Sequence, residues 1–156
     1  MTSQLCSVRS PRATRLSLLR TLLLVGGVAS CSPTILPGPT LWSANVSAVP
    51  PSTVEGTLGV VSQAGATKAS MDLRLGESGV TYEWRMAEGD CGSEGTLVGG
   101  RAAYPVLVAA ATGTADANAT LPGELTSGES YAARILQVST GGTEQVVACG
   151  VLKQTK

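Results

Sequence analysis

Hydrophobic and polar positions alternate strictly through the middle of the chain. Val54, Gly56, Leu58 and Val60 alternate with Glu55, Thr57 and Gly59. Ala69, Met71, Leu73 and Leu75 alternate in the same way with Lys68, Ser70, Asp72 and Arg74. Val80, Tyr82, Trp84 and Met86 continue the pattern and put Thr81, Glu83, Arg85 and Ala87 on the opposite face. A period of two sustained over this length predicts half-buried β-strands, because successive side chains of a strand point to opposite faces. Further runs at Tyr104–Ala110, Thr114–Leu121, Tyr131–Ser139 and Gln145–Leu152 are separated by Gly-, Ser-, Asp- and Pro-rich turns. An apolar stretch at 41–49, "LWSANVSAV", predicts a first strand laid against the fold. The expectation is an all-β, antiparallel sandwich or barrel of seven to eight strands. The abundant alanine leaves room for a short helix near Ala109–Thr112.

The N-terminal pattern is different. Arg9, Arg12, Arg15 and Arg20 precede an apolar run of about nine residues, Thr21 to Ala29. That is too short to span a bilayer, which needs roughly 20 residues, but it suits the core of a signal peptide. It ends in Val28-Ala29-Ser30-Cys31, which resembles the lipobox of bacterial lipoproteins. The resemblance implies cleavage after residue 30, a signal peptide at 1–30, and a lipid-modified Cys31. Pro33, Pro37, Pro39, Pro50 and Pro51 then make 31–51 a tether, with one domain over 52–156. These features place the protein at the bacterial cell envelope, held to the membrane by lipid. Ser32 after the cysteine, rather than Asp, implies by the same resemblance the outer membrane if the source is Gram-negative.

Cleavage changes the charge and the cysteine count. Of eleven basic residues four lie in the leader, leaving seven against eleven acidic ones and a net charge of −4. An acidic domain lacks the Lys and Arg needed to neutralise phosphates, so no nucleic-acid partner is expected. Cys6 leaves with the leader and Cys31 takes lipid, so Cys91 and Cys149 are expected to form a disulfide in the exported domain.

In order and spacing, "YEWRMAEGDCG", "AYPVL", "SYAARIL" and the terminal "VVACGVL" together resemble the copper/zinc superoxide dismutase family over about Ser52 to Leu152. The resemblance implies a Greek-key barrel and the same Cys91–Cys149 bridge. It also implies that the metal site is degenerate. Arg85 and Ala87 stand where the family has a His-x-His pair, and Leu136 stands where it has a later histidine close to that pair. Val146 replaces an arginine that attracts the anion, and Tyr104-Pro105 lies in the loop expected to hold the other histidines. Copper and zinc sites need imidazole, thiolate or carboxylate ligands in fixed geometry. The chain has no histidine at all. Neither dismutase activity nor a metal cofactor is therefore expected.

Other chemistry is sparse. Glu83, Glu88 and Asp90 are close enough in sequence to pair with Arg85, and Glu88, Asp90 and Glu94 could supply carboxylates to calcium, though at no known loop spacing. A Ser-Lys nucleophile would have to use Lys68, Lys153 or Lys156, which read as solvated. The expected role is a non-catalytic binding or structural one, with a protein or small-molecule partner. The alternative is an enzyme or metal carrier that uses a carboxylate site.

Overall fold

A computed structural model describes residues 38–155 apart from Glu94 and Thr140. The expected signal peptide, Cys31 and residues 32–37 of the expected tether lie outside the described residues. The described chain is all-β: β1 (Thr40–Ala48), β2 (Glu55–Gln63), β3 (Ala66–Arg74), β4 (Thr81–Glu88), β5 (Leu107–Val108), β6 (Ala115–Pro122), β7 (Tyr131–Val138), β8 (Glu144–Val151) and β9 (Lys153–Thr155). Eight strands form an antiparallel sheet in the order β5-β4-β7-β8-β1-β2-β3-β6, with β9 added alongside β1. The sheet curls until β5 and β6 face one another, so the barrel is nearly closed. β6 passes β4 and β5 to return beside β3, which is a Greek-key crossing.

The alternation read from sequence is the inside–outside alternation of this barrel. Trp42, Ala44 and Val46 of β1, Leu58 and Val60 of β2, Met71 and Leu73 of β3, and Trp84 and Met86 of β4 all point into one core. All five aromatic residues of the chain are buried there. They pack as edge-to-face pairs, Trp42 on Tyr131 at 5.7 Å and Trp84 on Tyr104 at 5.0 Å, the arrangement that the ring quadrupoles favour. Tyr82 and Tyr131 stand at or near the start of their strands, and each hydroxyl accepts the N–H of the residue five back, Glu77 at 2.9 Å and Thr126 at 3.0 Å. Each ring is thus in the core while its polar tip fastens the preceding turn.

Two expectations need correction. The strand expected at Tyr104–Ala110 shrinks to Leu107–Val108, preceded by a single 3-10 turn at Arg101–Ala103. Pro105 has no N–H for a ladder, and its carbonyl instead accepts the Trp84 indole N–H at 2.8 Å. No helix forms near Ala109–Thr112. Gly113, at φ +76°, turns the chain there, and its N–H bonds the Ala110 carbonyl at 2.9 Å.

Candidate functional site

One face departs from the barrel's rule. β7 is buried at six consecutive positions, Tyr131 to Leu136, although a barrel strand should bury alternate residues. The cause is a second layer. The segment after β4 doubles back along it, with Glu88 N–H bonded to Thr96 O at 2.9 Å, Val98 N–H to Met86 O at 3.0 Å, and a bridge between Ala87 and Leu97. Gly89 N–H reaches Ser130 O at 2.8 Å. The flap also meets β8 through its cysteine. Cys91 and Cys149 lie at disulfide distance, with their Cα atoms 5.8 Å apart. The folded-back path requires a glycine at 95, where a Cβ would lie 1.9 Å from the Glu88 carbonyl oxygen.

This covered face carries the residues singled out by the family resemblance. In the β4–β7 ladder Glu83 is opposite Leu136, Arg85 opposite Arg134, and Ala87 opposite Ala132, so all six share the outward face. Leu136 is therefore a diagonal neighbour of Arg85. It stands four residues along β7 from the partner of Ala87, which is about 14 Å at strand rise. The three positions do not converge on one point, contrary to the expectation that 136 lies close to both. Ala87 and Leu136 are buried. Tyr104 and Pro105, expected in the ligand loop, are committed to packing on Trp84. Burial pushes the Tyr104 phenol up to about 12.

Arg85 does not pair with the acids nearest to it in sequence. Its Nη1 lies 3.0 Å from Glu144 Oε2 at the start of β8. Arg101 binds Glu144 as well, and also Glu83 at 2.6 Å. The result is a chain of charges, Glu83–Arg101–Glu144–Arg85, across three separate segments. Arg101, joined by Arg85, holds the Glu144 carboxyl below the usual carboxylate range, and the two glutamates raise Arg101. Asp90 instead caps its own turn, accepting the Gly92 N–H at 2.8 Å. Among the described residues no three His, Cys, Asp or Glu side chains are grouped to hold a metal.

Arg134 was not anticipated. It is 5% exposed, and its Nη2 donates to the Asp90 carbonyl oxygen at 2.9 Å. Together with Arg85, Ala87, Gly95 and Leu97 it lines a cleft of about 170 Å³ beneath the flap. The signal was present in the sequence: an arginine inside the apolar run "YAARIL" is a charge that the strand must bury. Arg101 and Glu144 carried no such signal, because their contact spans 43 residues. No protein-family model matches the chain, and no curated protein matches it.

Proposed function

We propose that the chain is a non-catalytic lipoprotein of the bacterial cell envelope, anchored through Cys31, whose barrel is a degenerate superoxide dismutase-like scaffold used for binding. The observation that carries this reading is the use to which the resembled metal positions are put. Arg85 is neutralised by Glu144, while Ala87 and Leu136 are apolar and covered. A metal centre needs ligands with free lone pairs and a supporting shell aimed at one point. The three resembled positions offer guanidinium and hydrocarbon instead, and the carboxylates beside them, Glu83 and Glu144, are paired with arginines. The strand order, the Greek-key crossing and the nearness of Cys91 to Cys149 are all compatible with the resemblance.

The test joins two measurements on protein isolated from membranes. Mass spectrometry of the N-terminal peptide should find an acylated Cys31, and Cys31→Ala should abolish acylation and processing at that site. Metal analysis of the same preparation should find no stoichiometric copper or zinc, and superoxide dismutation should not exceed that of a heat-inactivated sample. Retained stoichiometric metal would overturn the non-catalytic reading in favour of an enzyme or metal carrier.

A further inference from the structure

We propose that the cleft between Arg85 and Arg134 is a binding site for a small carboxylate anion. The argument begins with the register. Arg85 and Arg134 are directly opposite one another on adjacent antiparallel strands and share a face. Like charges so placed repel, and the arrangement is destabilising unless negative charge is brought to it. Arg85 has that charge in Glu144. Arg134 has none: among the described residues no carboxylate lies within 4.0 Å of its guanidinium, and a single side-chain hydrogen bond goes to a neutral carbonyl. A guanidinium carries five N–H donors in a planar fork and does not lose its proton. Charge withdrawn from water favours a counter-charge or a full set of acceptors, and among the described residues one acceptor is in place.

The surroundings select the occupant. Among the described residues the ion pairs on this face join Arg85 and Arg101 to Glu83 and Glu144, and Arg134 takes part in none. A single negative charge supplies its partner. A planar carboxylate matches the guanidinium fork in two parallel hydrogen bonds. The remaining walls, Ala87, Gly95 and Leu97, are small or apolar. They add no competing acceptor and admit a short hydrocarbon tail behind the carboxylate. At about 170 Å³ the cleft takes a group of a few heavy atoms and not a folded partner. The proposal rests on the reading of this domain as a binding module. Its failure is distinguishable from that reading's failure, because metal content and acylation decide the one and anion titration the other.

The experiment is a titration of the full chain in mild detergent, followed by ¹H–¹⁵N NMR of arginine Nε–H and backbone amides. Sodium acetate and sodium butyrate are the probes, with phosphate and chloride at matched ionic strength as comparators. The expected result is saturable movement of the Arg134 Nε–H and Gly95 amide signals with acetate and butyrate, and at least tenfold weaker response to chloride. Saturation by phosphate at lower concentration than by either carboxylate would overturn the choice of a monoanion. Arg134→Lys, which keeps charge and loses the fork, should weaken acetate at least tenfold. Ala87→Val, which narrows the cleft from a wall without touching the charges, should weaken butyrate more than acetate. Circular dichroism of each variant confirms the fold. Movement that is linear in every salt, or unchanged in both variants, would overturn the site. So would acetate saturation seen in Glu94→Gln and absent from wild type, since the chain would then be supplying its own carboxylate.

Discussion

Gly150→Ala is the sharpest test of how the barrel closes. Gly150 follows Cys149 in β8 and is paired with Ala133 of β7. A methyl group built there would lie 2.2 Å from the carbonyl oxygen of Asn45 and 3.0 Å from Val46 Cα. Both are backbone atoms of β1, so no change of rotamer makes room. Ordinary contact begins near 3.5 Å, so β1 must withdraw by about 1 Å. Its hold on β8 is short, the pairs Ser47–Cys149 and Ala48–Ala148, followed by the bond from Val49 N–H to Val147 O at 2.9 Å. Losing two such bonds costs about 2 kcal/mol at a net 1 kcal/mol each. Strain from overpacking adds about 1–3 kcal/mol, for a total of roughly 3–5 kcal/mol. Domains of this size are stable by about 5–15 kcal/mol, so the loss is large. Urea unfolding followed by tryptophan fluorescence measures it. With a slope of about 1–3 kcal/mol per molar, the midpoint should fall by about 1 M or more. Gly59→Ala is the matched control: Gly59 also lies in a strand, but its added methyl meets nothing within 4 Å. It should stabilise by roughly 0.5–1 kcal/mol through lost chain entropy. A cost below about 1 kcal/mol for Gly150→Ala, or equal effects of the two substitutions, would refute the close approach of β1 and β8.

Three further outcomes are expected. Non-reducing mass spectrometry should find Cys91 and Cys149 in one cross-linked pair, and Cys91→Ser with Cys149→Ser should cost up to about 4 kcal/mol by loop entropy for a separation of 58 residues; two freely alkylatable thiols in the native protein would refute the bridge. An unfolded tyrosine ionises near 10, but Tyr104 holds its proton to about 12. Between those values the unfolded state loses a proton that the folded state keeps, so stability should fall by about 2–3 kcal/mol as pH rises. Tyr104→Phe should remove that slope, and an unchanged slope would count against a buried phenol. Glu144 has the opposite sign: its lowered folded pKa contributes stability above the unfolded value near 4.3, which is lost as pH falls through the folded one. Acid unfolding should therefore be less steep in Glu144→Gln than in wild type, and identical acid limbs would dissolve the proposed pairing with Arg101 and Arg85.

The strands were legible because side-chain period is a local property. Leu58 and Val60, or Met71 and Leu73, need only a water-facing and a core-facing side to declare a strand, and β2, β3 and β4 match the alternation to within a few residues. The stretch at 41–49 could likewise be read as a strand, although only the assembled barrel gives it β2, β8 and β9 as neighbours. β5 was overestimated for a non-local reason: Tyr104 and Pro105 are drawn to Trp84, and the ladder begins only after them. The charges were the least legible. Sequence distance pointed Arg85 toward Glu83, Glu88 or Asp90, whereas the fold gave it Glu144 across the barrel wall. Electrostatic pairing depends on separation in space, which local pattern does not encode. The sequence alone determined an all-β chain with a leader-like N-terminus, no histidine and an acidic balance after the leader. Tertiary structure alone decided that a flap covers the outer face of β4 and β7. It thereby buried Leu136 and Ala87 and set two guanidiniums opposite one another, one of them lacking a described counter-charge.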